Sequence, residues 1–112
     1  MNLTGQPVAP KPDPPERDPE YLARVHELPC CICQRTGLTQ VDLTRAHHPI
    51  MGRYSQRKAP DPDAIPLCDS HHQRGKAPYL SVHFDRRQWE REYGLDTDYI
   101  AGTRLALGYE AG

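Results

Sequence analysis

The residues of this 112-residue chain that could do chemistry are its four cysteines and six histidines. Cys30, Cys31, Cys33 and Cys68 fall between positions 30 and 83, as do His47, His48, His71, His72 and His83, leaving His26 outside. Cys30-x-x-Cys33 and Cys68-x-x-His71 share a spacing at which one tight turn presents two donors to the same ion. Two such turns complete a tetrahedral zinc shell, so these four residues read as a structural zinc site. Cys31 is spare: C-x-C is rarely a zinc knuckle, and a lone thiol usually packs as a small apolar residue.

His47, His48, His72 and His83 remain. His26 sits on a predicted helix and reads as a packing or surface residue. Neighbouring side chains point in different directions, so if Cys68 and His71 face the zinc, His72 is turned away from it, toward the segment "RAHH". A second metal with an unliganded histidine beside it makes a hydrolytic centre. Phosphodiester cleavage needs a metal on the phosphate oxygens, a base to activate water and a donor to the leaving group. Neutral imidazole can serve as ligand or base at physiological pH.

The elements that must position these residues are short. With 37% apolar residues, 12 prolines and 8 glycines, the chain is one small domain that needs a staple. It contains no apolar run long enough for a membrane span and no signal-peptide pattern. The expectation is therefore a cytoplasmic protein, where thiols stay reduced and cysteine pairs point to metal before disulfides. The net charge of −1 averages unlike parts. Residues 21–60 carry six basic groups against two acidic, while residues 1–20 and 92–112 are acidic. Positive charge thus gathers near the cysteines and histidines, where a phosphate backbone could be held. A solvated basic surface is the alternative.

Residues 1–17 form a proline-rich lead expected to be disordered or extended. A helix should follow over "RDPEYLARVHELP", capped by Asp18 with Pro19 in its first turn. "CCICQRTGLTQVDLT" reads as a knuckle turn running into a strand that pairs through Leu38, Val41 and Leu43, with "RAHHPI" finishing that region. "MGRYSQRKAPDPD" is a polar loop, "AIPLC" a second strand, and "DSHHQRGK" a helix start with Asp69 or Ser70 near its cap. "HFDRRQWEREYGL" is a helix with Phe84, Trp89 and Tyr93 near one face, stopped by Gly94. The tail, residues 96–112, adds a short helix.

Taken together, "LPCCIC", "AHH", "IPLC", "HH" and the later "H…W…YG" resemble the HNH endonucleases, in particular phage- and prophage-type members with two zinc knuckles. The resemblance covers roughly residues 20 to 95. It implies an α+β fold, a small ββα-metal domain over residues 18–95 stapled by structural zinc, with flanking helices. In the family the second knuckle reads C-x-x-C-H, where the second cysteine binds zinc and the histidine binds the catalytic metal. "CDSHH" is similar, with His71 in the cysteine's place, so the resemblance assigns His72 to catalysis. It makes His47 a ligand and His48 the general base, or His47 the base if the alignment shifts by one residue. His83 becomes the third ligand, although the ten residues between it and His72 read as an insertion. The residue that orients the base is asparagine in the family; here Asp63 occupies that place, with Asp61 as rival. Arg45, Arg53, Arg57 and Lys58 are expected to hold phosphates.

The expected activity is metal-dependent hydrolysis of DNA with weak sequence specificity. The expected catalytic ion is Mg²⁺, Mn²⁺, Ni²⁺ or Zn²⁺. The expected setting is phage DNA processing, with a recombination or packaging protein as a partner, and the chain acting as a monomer or a dimer. A zinc-stapled binding module without cleavage is the second reading; it needs neither His48 nor an open metal site. A redox or metal-carrying protein is the third, disfavoured because two knuckles close the zinc shell.

Overall fold

The computed structural model describes residues 16–51, 59–73 and 80–109. Helix α1 spans Pro19–Val25, and Asp18 caps it by accepting a hydrogen bond from the Tyr21 amide at 3.0 Å. Its Tyr21 and Val25 are buried, joining Ala64 and Leu107 in a small core at one end of the molecule. Proline at the first helical position loses no hydrogen bond, because that amide has no partner within the helix.

Residues 31–36 depart from the expected turn-and-strand. Cys31–Thr36 is a short helix, α2, whose C-cap Gly37 takes φ 79°, a left-handed conformation that favours glycine. The strand expected to pair through Val41 and Leu43 begins later: β1 is Thr44–His47, and Val41 and Leu43 are 67% and 78% exposed. The residues ahead of β1 serve as hydrogen-bonding braces instead. Gln40 accepts from the Cys30 amide at 2.7 Å and donates to the Asp42 carbonyl (2.8 Å) and to Thr44 Oγ1 (2.9 Å). Thr44 in turn donates to the Leu28 carbonyl at 2.6 Å.

β2 is Ile65–Cys68, antiparallel to β1, with Thr44 opposite Cys68 and His47 opposite Ile65. Pro66 fits because, among the described residues, β2 has a single strand partner, so one edge needs no donor. Helix α3, Asp69–His72, follows β2 directly. Asp69 and Ser70 stand next to the cap, as expected, with Cys68 in the cap position itself, and Asp42 takes both the Ser70 amide (3.1 Å) and the Ser70 hydroxyl.

Helix α4, Arg86–Tyr93, is capped by Asp85, which accepts from the Gln88 amide at 3.0 Å, and it ends at Gly94 with φ 88°. Trp89 and Tyr93 are buried in the main core with Ile32, Ile65, Leu67, Val82 and the knuckle cysteines. Phe84 does not join them. It precedes the helix and is 73% exposed. A single-turn 3₁₀ segment, Asp96–Tyr99, then leads into α5, Ile100–Ala106. The segment expected to be a tail is thus packed into the fold, since Asp96 is fully buried. Among the described residues no helix is long and apolar enough to cross a membrane.

Candidate metal centres

Cys30 and Cys68 occupy the same structural position, each at the N-cap of a short helix with a second donor three residues on. The first turn of a helix folds residue i+3 back over its cap, which brings Cys33 to Cys30 and His71 to Cys68. The hairpin register then sets the two turns side by side. His71 Nδ1 lies 3.5 Å from Cys30 Sγ, 3.5 Å from Cys33 Sγ and 3.4 Å from Cys68 Sγ, and Cys33 Sγ lies 3.8 Å from Cys68 Sγ. Zinc with bonds of about 2.3 Å to sulfur and about 2.0–2.1 Å to nitrogen separates tetrahedral donors by about 3.6 Å (S–N) and about 3.8 Å (S–S). All four residues are buried, and the Cys₃His group is compatible with a structural zinc.

The electrostatics of the group agree with that fit. A hydrogen bond from Cys68 pulls the Cys30 thiol down to about 3, while the thiol of Cys68 is pushed up by that same bond. Burial and then the charge on Cys30 push Cys33 up to about 11. The protein alone favours one thiolate here, and a cation held by the group would deprotonate the others. Cys31 lies outside the group, half-buried, its thiol pushed up chiefly by burial.

A second group opens on the other side of α3. His47 ends β1, His72 ends α3, and His83 lies in the turn before α4. One ring nitrogen from each falls within 4.8 Å of the others. His83 reaches the group across ten intervening residues because its segment folds back onto α3: the Val82 amide bonds the His71 carbonyl (2.8 Å) and the His83 amide bonds the His72 carbonyl (3.0 Å). Nε2 of His72 and Nε2 of His83 face each other at 3.2 Å. Two nitrogens about 2.1 Å from a common ion, at angles of about 90–109°, are about 3.0–3.4 Å apart. His47 is buried, His72 half-buried and His83 exposed, so the group meets solvent on the His83 side.

Burial, then the neighbouring His47 and His83, lower the His72 imidazole to about 4, and burial followed by His47 lowers His83. Both are therefore neutral at physiological pH, the form that binds metal. The nearby Arg45 adds to the depression of His72. Arg45 is 53% exposed along its side chain and lies 3.4 Å from Asp69, whereas Arg53, Arg57 and Lys58 fall outside the described residues.

His48, the next residue after His47, belongs to a different pair. Its Nε2 lies 2.7 Å from Asp61 Oδ1. The other carboxylate oxygen, Oδ2, accepts from the Asp18 amide at 2.8 Å, and the Asp61 amide donates to the Glu16 carbonyl at 2.9 Å. Asp63, expected to orient the base, is not there: its carboxylate is paired with Arg104, which also donates to the Pro62 carbonyl at 2.8 Å. The two acids sit two residues apart in the 3₁₀ turn Asp61–Asp63, which sends them in different directions. His26 has its Nδ1 3.2 Å from the Thr44 carbonyl oxygen, an ordinary packing role.

Three contributors carry no recognisable signal in the sequence. Asp96 Oδ2 lies 2.8 Å from His47 Nε2, and no spacing rule links positions 47 and 96. Gln40 and Asp42, which brace the two knuckle turns, sit in a stretch whose apolar residues suggested a strand.

No curated protein and no solved structure matches the chain. A family model does match, over residues 9–109, which takes in the Cys₃His group, the three-histidine group and the Asp96 segment. The chain belongs to the family described as "Protein of unknown function (DUF968)".

Proposed function

We propose that this chain is a metal-dependent endonuclease of the HNH type, hydrolysing phosphodiester bonds in DNA. The observation that carries the reading is the convergence of His47, His72 and His83 beside a separate, buried Cys₃His group. A binding module needs the Cys₃His group but has no use for the three histidines. The order strand, strand, helix of β1, β2 and α3 agrees with the ββα-metal arrangement. In this reading Cys30, Cys33, Cys68 and His71 hold a structural zinc. His47, His72 and His83 hold the catalytic ion, which can be Mg²⁺, Mn²⁺, Ni²⁺ or Zn²⁺.

That ion, when bound, stabilises the charge on the phosphate and the leaving oxygen. The remaining work falls to the chain. Asp61 holds Nε2 of His48, leaving Nδ1 to take a proton from the attacking water. Arg45, with Arg53, Arg57 and Lys58, holds the phosphates. Weak sequence specificity rests on the lack of an identifiable base-reading element in the sequence, a place in phage DNA processing on the resemblance, and a recombination or packaging partner on the proline-rich lead.

The test is cleavage of supercoiled plasmid by the purified chain with each divalent ion in turn, beside His48→Ala and His47→Ala. Removing a general base typically costs about 10²–10⁴-fold in rate. Loss in His48→Ala, with zinc content unchanged, supports the assignment. A His48→Ala protein that still cuts, beside an inactive His47→Ala, leaves His47 to serve as the base. DNA binding with no cleavage under any ion favours the binding module.

A further inference from the structure

Asp96 is fully buried, yet it is an ionisable residue that the chemistry proposed above does not use. Its carboxylate is saturated by donors from one stretch of chain. Oδ2 faces His47 Nε2 at 2.8 Å and accepts from the Ile50 amide at 2.7 Å, and Oδ1 accepts from the Met51 amide at 3.1 Å. Two backbone N–H groups that can only donate fix the carboxylate as an acceptor, so the hydrogen between it and His47 belongs to Nε2. In neutral imidazole that leaves Nδ1 as the lone-pair nitrogen, and Nδ1 is the one available to the three-histidine group. The amides of Ile50 and Met51 tie the same carboxylate to the chain immediately after His48.

We propose that Asp96 is a positioning residue for the metal centre, holding His47 in the Nε2–H tautomer and anchoring the turn that follows the base. The inference rests on the reading of His47, His72 and His83 as a metal site. A carboxylate on the far nitrogen of a ligating histidine fixes the ring, raises its basicity and typically accounts for about 10–100-fold in metal affinity. Asparagine cannot replace it here. Three donors converge on the carboxylate, and the amide nitrogen of asparagine is itself a donor, so one contact becomes donor against donor.

The test is made on the full chain with its structural zinc in place. Nitrogen-15 NMR of the histidine rings at pH 8, before any second metal is added, is expected to show His47 protonated at Nε2 and bare at Nδ1; hydrogen on Nδ1 overturns the proposal. This measurement needs no variant, so it decides even if a substitution fails to fold. In Asp96→Ala, which removes every acceptor, the tautomer preference is expected to be lost and Ni²⁺, titrated as the probe, to bind about 10–100-fold more weakly, with zinc content unchanged. An Asp96→Ala protein that keeps both the tautomer and the Ni²⁺ affinity overturns it. A wild type with the expected tautomer that takes up no Ni²⁺ overturns the metal-centre reading, and with it any role of Asp96 toward a metal, while the hydrogen-bond assignment stands.

Discussion

Asp61 and His48 form a buried-edge pair, with Oδ1 2.7 Å from Nε2, and the same carboxylate is pinned from behind by the Asp18 amide at 2.8 Å. The N-terminal cap of α1 and the orientation of His48 are therefore set by one side chain. Asp63, two residues away, is bound to Arg104 instead.

This separates the two acids experimentally. Asp61→Ala is expected to slow plasmid cleavage by at least about tenfold, because His48 loses the group that fixes its ring and its tautomer. Asp63→Asn is expected to leave cleavage unchanged and to cost at most about 1 kcal/mol in unfolding free energy, the usual range for a partly exposed ion pair. Chemical denaturation beside the cleavage assay checks both.

The structural zinc should be inseparable from the fold. Cys30, Cys33 and Cys68 belong to the main core, packed with Ile32, Leu67 and Trp89. Cys33→Ser, or prolonged chelation, is expected to abolish the cooperative thermal transition, since folding free energy in such small domains includes the metal-binding free energy. Cys31→Ser should retain one zinc per chain and change stability by less than about 1 kcal/mol. Metal analysis with circular dichroism on each variant reads this.

Stability should depend on pH through His72. Its folded value, about 4, lies below the ordinary histidine value of 6.5 because of burial and the two neighbouring imidazoles. Between those limits the unfolded chain binds a proton that the folded chain refuses, so stability falls as pH drops from about 6.5 toward about 4 and is fully present above that window. His72→Gln, compared with wild type without added divalent ion, is expected to flatten this acid arm. A denaturation series from pH 7 to 4.5 decides it.

Arg45 offers a test of the substrate surface. Arg45→Ser is expected to weaken DNA binding uniformly across sequences and to reduce the slope of log affinity against log salt by about 1, the mark of one phosphate contact. Fluorescence anisotropy with a labelled duplex at several salt concentrations measures both.

Much of this arrangement was legible in the residues. Cys30/Cys33 and Cys68/His71 declare themselves because a first-turn ligand pair is a local, three-residue device. His72 could be separated from His71 for the same reason: consecutive side chains diverge. Residues 38–43 suggest a strand because Leu38, Val41 and Leu43 mimic an alternating pattern, while the competing signal, the hydrogen-bonding capacity of Gln40 and Asp42, becomes visible only once their partners Cys30 and Ser70 are in place. Asp61 and Asp63 are indistinguishable by type, and the choice between them is made by Arg104, some forty residues on. Asp96 carried no local signal, because its value lies in meeting His47 across the fold.

The most direct measurement is plasmid nicking and bound zinc determined on the same preparations of wild type and His72→Ala. The zinc of the Cys₃His group is expected in both, with nicking lost in the variant, because His72 belongs to the open group and His71 to the closed one. A variant that nicks as fast as wild type would contradict the assignment of the three histidines as the catalytic centre. Loss of zinc together with nicking would contradict the separation of the two metal sites.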